Sequence, residues 1–245
     1  MLTNAVEVKN LTFAYSGMNP LLSGISFSVC EGEMLVIAGQ SGSGKTTLCR
    51  ILCGIIPHSV KGAIGGEVAV MGISPSSVSL PQNALNTGMV FQDPDSQIIC
   101  TTVEDEIAFG LENFCIPPIE IRRRVDELLA EFGFESLRNA NPELLSDGQK
   151  KLLTIAAVLA TSPPILILDE PMSGLDPRGR SLVTAAIERQ RRQGRTVIII
   201  EHDLKTAACA DRWLLLRDGA VAAFGAPSDI INDRGMLEEL GVWAC

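Results

Sequence analysis

The sequence predicts an α/β fold: a mainly parallel core sheet, an antiparallel β subdomain and an inserted α-helical subdomain. Three observations carry this expectation. The runs "EMLVIAG" (33–39), "PILILDE" (164–170) and "TVIIIEHD" (196–203) are short and continuously apolar, as in strands buried on both faces. The first ends in glycines and leads into a helical pattern, and a helical stretch from Pro177 to Gln193 joins the other two, which makes strand–helix–strand crossovers. Between Asp93 and Leu145 no strand-like run occurs, so a helical lobe interrupts the α/β core.

Taken in order, "VEVKNLTFAY" (6–15), "ISFSV" (25–29) and "GEVAVMG" (66–72) alternate in strand fashion, and "TTLCRILCGI" (46–55) has helical spacing. "TVEDEIAFGLENF" (102–114) and "IEIRRRVDELLAEFGF" (119–134) are amphipathic helices kept apart by Pro117 and Pro118. In "LLSDGQKKLL", Leu144 to Leu153, Ser146 as N-cap and Gln149 three residues later form a capping box, with Asp147 well placed toward the helix dipole. "WLLLRDGAVAAFG" (213–225) reads as a hairpin turning at Asp218 and Gly219, followed by a terminal helix from about Ser228. The expected organisation is one domain over 1–245, with an α/β core and β subdomain at about 1–92 and 161–245 and a helical subdomain at about 93–160.

Hydrophobic residues at 46% and charged residues at 20% describe a chain that buries a core. A net charge of −9 argues against broad nucleic-acid binding, which rests on basic surface. The basic clusters Arg122 to Arg124 and Arg189 to Arg195 read as solvated helix faces. Seven cysteines without a C-x-x-C pair read as reduced thiols of a cytosolic protein, most of them core fillers, with Cys49 and Cys53 on one helix face. Only His58 and His202 accompany them, and neither has zinc-ligand spacing. No signal-peptide pattern opens the chain, and no apolar run reaches the ~18 residues of a membrane span.

"GQSGSGKT", Gly39 to Thr46, fits G-x-x-x-x-G-K-[ST]. Glycines let the backbone curl so that N–H groups from Gly39, Gln40, Ser41, Gly42, Ser43 and Gly44 onward face phosphate oxygens. Lys45 would neutralise the terminal phosphates, the Thr46 hydroxyl would bind Mg²⁺, and the helix opening at Thr46 and Thr47 aims its positive end at the same anion. A phosphate loop leaves kinases, GTPases and motor-like ATPases open. The two carboxylates ending "ILILDEP" choose among them: Asp169 for Mg²⁺ and Glu170 to polarise a water, which implies hydrolysis. His202 closes another core strand at the edge where such sheets bind ligands, in reach of the γ-phosphate or the attacking water. Gln92, read as ending a strand before the helical lobe, has an amide for Mg²⁺ or water and a backbone that hinges the lobes.

Five ordered segments, "GQSGSGKTT", "FQDPDSQ", "LLSDGQKK", "ILILDEPMSGLD" and "IIIEHD", together resemble the ATP-binding cassette (ABC) ATPases over about residues 6 to 225. There they correspond to Walker A, Q-loop, signature, Walker B with D-loop, and H-loop. The resemblance implies an ABC-ATPase version of the P-loop NTPase fold, ATP and Mg²⁺ as ligands, and Tyr15 of "FAYSG" stacking on adenine. It also implies a sandwich dimer in which Ser146, Gly148 and Gln149 meet the γ-phosphate held by a second ATPase subunit, with Ser173 to Asp176 crossing the interface. Asp147 departs from the usual L-S-G-G-Q, and Leu152 stands where many relatives have Arg.

"FQDPDSQI", "TVEDEIAFGLENFCIPP", "LTIAAVLA" and "SGLDPRGR" are similar to the ATPases of energy-coupling-factor importers of vitamins and metal ions. That similarity implies a place on the cytoplasmic face of the cell membrane, under a transmembrane coupling protein and a substrate-binding membrane protein, with Gln97 lining the groove for the coupling helix. It also implies that the C-terminal helical extension of many such ATPases is short or missing in a chain stopping at Cys245. A soluble cassette ATPase of cofactor assembly, repair or translation, and a weakly hydrolysing regulatory subunit, are the alternatives. The resemblance further implies that the membrane partner chooses the transported molecule.

Overall fold

A computed structural model describes residues 3–202 and 209–240. The elements are β1 (Asn4–Tyr15), β2 (Leu22–Cys30), β3 (Met34–Gly39), α1 (Lys45–Leu52), the short α2 (Ile55–His58), β4 (Gly62–Val70), the short α3 (Leu80–Ala84) and β5 (Thr87–Val90). After a 3₁₀ turn at Pro94–Ser96 come α4 (Val103–Asn113), α5 (Pro118–Phe132) and α6 (Asp147–Ala160). The chain then returns to strands with β6 (Ile165–Asp169), α7 (Pro177–Arg192), β7 (Thr196–Ile200), β8 (Arg212–Arg217), β9 (Ala220–Gly225), α8 (Pro227–Ile230) and α9 (Arg234–Glu239).

The core sheet runs β5-β6-β7-β3-β8-β9, parallel throughout except for β9, which pairs antiparallel with β8. Side chains alternate faces along each strand, and both sets are apolar. Val36, Leu168, Val197 and Ile199 pack on one side with α4 to α7, while Leu35, Ile37, Ile167 and Ile198 pack on the other. At about 1.5–3 kcal/mol for each fully buried aliphatic side chain, this double-sided burial is the main support of the sheet. The second face is covered by α1 and by an antiparallel sheet, β2-β1-β4.

The antiparallel strands are longer than alternation alone predicts. β4 begins at Gly62, not Gly66, because Gly62 and Ala63 pair with Tyr15 and Ala14. A Cβ at Gly62 would stand 2.4 Å from the Phe13 ring, so this glycine keeps the strands together where its propensity argues against a strand. The hairpin turns as expected at Asp218 and Gly219, both at positive φ (49° and 76°), as a two-residue turn requires. The expected terminal helix from Ser228 is instead two short helices: α8 ends at Ile230, and Asp233 caps α9 by accepting from the Met236 N–H at 3.0 Å. Core filling by cysteine holds for Cys49 and Cys53 alone among the described cysteines. Cys30 and Cys100 are half-buried and Cys115 and Cys209 exposed, while Cys245 lies outside the described residues.

No strand lies between β5 and β6 among the described residues; α4, α5 and α6 fill that interval. Thr102 caps α4 and three acidic residues follow in its first turn. The basic clusters are not bare solvated faces. Arg123 and Arg124 pair with Glu120, Arg189 pairs with Glu131, and Arg195 donates to the carbonyls of Ser162 and Pro163 beyond the end of α6.

Candidate functional site

The ends of β3, β6 and β7 and the segment after β5 converge on a cleft of ≈ 270 Å³ lined by the phosphate loop, Gln92, Glu170 and His202. All four strands run parallel, so their C-terminal ends fall on one edge, where chain leaves the sheet and polar side chains become free of the apolar faces. At the end of β3, a Cβ on Gly39 would lie 2.1 Å from the Leu216 carbonyl oxygen, and its φ is 142°. Only glycine lets the loop begin there. Gly44, at φ 96°, then opens α1, whose first turn carries no acidic residue to oppose an arriving anion.

Lys45 is buried, and its ammonium donates to the carbonyls of Gly39 and Gln40, each at 2.8 Å. Burial pushes its pKa down, while the nearby Glu170 and Asp169 push it back up. Thr46 donates to Asp169 Oδ2 at 2.7 Å. Asp169 Oδ1 is buried with no hydrogen-bond partner, and burial raises the pKa of this carboxyl above its usual range.

Glu170 follows at φ 49°, a left-handed backbone that non-glycine residues seldom adopt. Its Oε2 accepts from Gln92 Nε2 at 2.9 Å, and its Oε1 lies 2.9 Å from His202 Nε2. An ionised carboxylate only accepts, so the imidazole facing it carries its proton on Nε2. Gln92 stands two residues beyond the end of β5 and not at the strand end itself, on the connection to the helical lobe.

Tyr15 ends β1 beside the cleft, its hydroxyl 3.0 Å from Thr47 Oγ1 and its ring edge-on to Phe13. Ser146, Gly148 and Gln149 lie elsewhere, at the exposed start of α6. The capping box forms: the Gln149 N–H donates to Ser146 Oγ at 3.3 Å, and Gln149 Oε1 accepts from the Ser146 N–H at 3.0 Å. Asp147 is exposed, and Lys150 on the next turn reaches back to Asp95 at 2.6 Å. Leu152 is buried in the core of the helical lobe.

Residues 22–173 match the family described as ABC transporter. The chain belongs to the ABC transporter family. Within it, a relative is the energy-coupling factor transporter ATP-binding protein EcfA1 of Levilactobacillus brevis, 41% identical over 244 residues, 99% of this chain and 86% of the relative. Among solved structures, cbiO1 of Clostridium perfringens, described as part of the ABC transporter complex cbiONQ, superimposes with a TM-score of 0.80 at 34% identity, covering 97% of this chain and 94% of that one. The ATP-binding cassette MJ0796, as a post-hydrolysis dimer bound to ADP and Pi, superimposes with a TM-score of 0.80 at 28% identity, covering 90% of this chain and 98% of that one.

This ABC protein is an ATPase, and its cleft unites the residues read from Walker A, Q-loop, Walker B and H-loop. The signature residues do not join them within the single chain. A larger groove of ≈ 830 Å³ lies away from this chemistry, lined by Met89, Gln97, Ile99 and Phe109. Gln97 holds its wall by accepting from the Phe91 N–H at 3.1 Å and donating to the Met89 carbonyl at 2.9 Å. Sequence reasoning missed Lys151, whose ammonium donates to the Glu170 carbonyl at 2.9 Å. The available signal was a lysine three residues after Gly148 and four before Ile155, on the inward face of a helix.

Proposed function

We propose that this energy-coupling-factor ATPase hydrolyses ATP in a two-subunit sandwich on the cytoplasmic face of the membrane, and so drives uptake of a vitamin or metal ion through integral membrane partners. The observation that carries the reading is the division of the site: a cleft holding the hydrolytic residues, and a separate exposed helix start bearing Ser146, Gly148 and Gln149. Such a division is what a site completed by a second cassette requires.

In this reading the loop from Gly39 to Thr47 wraps the phosphates with backbone N–H groups, and Lys45 exchanges its two carbonyl partners for phosphate oxygens. Tyr15 lies against the base. Glu170 accepts a proton from water as the water oxygen attacks the γ-phosphorus; the bond to the leaving ADP oxygen breaks, giving ADP and phosphate. Gln92 and His202 hold that carboxylate from both sides. For Mg²⁺ the donors fit: Asp169 presents a buried carboxylate oxygen without a partner, next to the Thr46 hydroxyl, and Gln92 lines the same cleft as Thr46. These three would hold the ion, which neutralises phosphate charge when bound. The helical segment at about 93–160 would pass the motion of the sandwich to the membrane protein, with the Gln97 groove receiving its helix.

Affinity isolation of the chain from detergent-solubilised membranes tests the reading. The expected product is a complex with a second cassette and integral membrane proteins that hydrolyses ATP. Recovery solely with soluble or nucleic-acid partners would overturn the transport assignment.

A further inference from the structure

Lys151 sits on α6 two residues beyond Gln149, yet its side chain runs inward. It is 5% exposed, and its ammonium donates to the Glu170 backbone carbonyl at 2.9 Å. Lysine is seldom buried to this degree, because the ammonium gives up its hydration. Burial pushes its pKa down, and the carboxylates of Glu170, Glu201, Asp169 and Asp93 offset this only in part. The next residue, Leu152, is packed into the core. Lys151 is thus the cation that this helix presents to Glu170.

The recipient is equally unusual. Glu170 holds a left-handed φ of 49°, a disfavoured conformation that persists where neighbouring bonds enforce it. Its N–H donates to the Ile200 carbonyl at 3.0 Å, and its own carbonyl accepts the Ser173 N–H at 3.2 Å in addition to Lys151. The peptide groups on either side of this residue are therefore pinned, one by β7 and the other by α6. Its carboxylate projects from that pinned backbone to Gln92 and His202. A backbone rotation of roughly 20° would carry the carboxylate on the order of 1 Å, a displacement large enough to cost a positioned base much of its effect.

We propose that Lys151 is a positioning residue for Glu170, fixing the backbone from which the carboxylate reaches the attacking water. The same rigid helix begins with Ser146 to Gln149, so the hold on the base moves with the signature half-site. Engagement of that half-site by a partner's nucleotide then bears directly on the base of this subunit. The inference rests on the reading of Glu170 as general base.

The test uses the full chain in its assembled complex, comparing Lys151→Met, Lys151→Arg and Lys151→Gln with the parent and with Glu170→Gln. Lys151→Met is expected to lower kcat about tenfold while ATP affinity stays within about threefold, and at least one donor-retaining variant, Arg or Gln, to recover to within about threefold of the parent. An unchanged kcat in Lys151→Met, alongside an inactive Glu170→Gln, overturns the positioning role and leaves the base assignment intact. Loss of ATP affinity in parallel with kcat, or recovery by neither Arg nor Gln, also overturns it, because the lysine would then be supporting the fold alone. Parental turnover in Glu170→Gln overturns the base assignment and this inference with it.

Discussion

Glu170→Gln separates chemistry from architecture at this site more sharply than other substitutions. Glutamine has the shape of glutamate, so the backbone at φ 49° and its bonds to Ile200 and Lys151 remain available. Its amide oxygen still accepts from Gln92, and its NH₂ faces an imidazole nitrogen at 2.9 Å that becomes an acceptor by a change of tautomer. Two bonds to a charged group become two neutral ones, a loss of about 1–2 kcal/mol, or a few degrees in Tm for a domain of this size. What disappears is proton acceptance. A positioned general base contributes about 10²–10⁴-fold, so kcat is expected to fall at least about a hundredfold while ATP affinity stays within about threefold. Single-turnover hydrolysis of radiolabelled ATP gives the rate, equilibrium binding gives the affinity, and size exclusion with ATP shows a trapped dimer. Turnover within about tenfold of the parent would refute Glu170 as the base.

Lys45→Ala removes the point charge proposed to face the phosphates, so ATP binding is expected to weaken at least about tenfold by calorimetry, and retained affinity would contradict that role. Gly39→Ala sets a methyl against the Leu216 carbonyl at a φ of 142° and should destabilise the chain by at least about 2 kcal/mol in denaturant melts. Asp147→Gly restores the common signature; because Asp147 is exposed, turnover is expected to rise by less than about tenfold in the assembled ATPase. A hundredfold rise would show that this carboxylate suppresses the half-site.

The cleft was legible because each of its parts is written locally. An apolar run ending in glycine dictates its own loop, and carboxylates at the end of "ILILDE" have nowhere to go but the sheet edge. The capping box of Ser146 and Gln149 depends on four consecutive residues and appears as read. Features set by distant partners were not legible. Gly62 to Gly65 join β4 only because the end of β1 lies opposite them. Lys151 looked like one more charge in "GQKKLL" until the fold placed the Glu170 carbonyl above it. The cysteines were over-assigned to the core because residue type states a preference, while exposure is decided by which face of each element meets a neighbour.

The capping box has a consequence for how long any assembled state lasts. Ser146 and Gln149 already satisfy one another, with the hydroxyl donating to Gln149 Oε1 at 3.1 Å and the amide oxygen shared with the Ser146 N–H. In the proposed sandwich a phosphate from another subunit would draw the Ser146 hydroxyl away from Gln149 Oε1, so that contact exchanges one acceptor for another and its net gain is smaller than that of a new bond. A latch made partly of exchanged bonds would close with less drive and open more readily, which suits the proposed cycle of assembly and release.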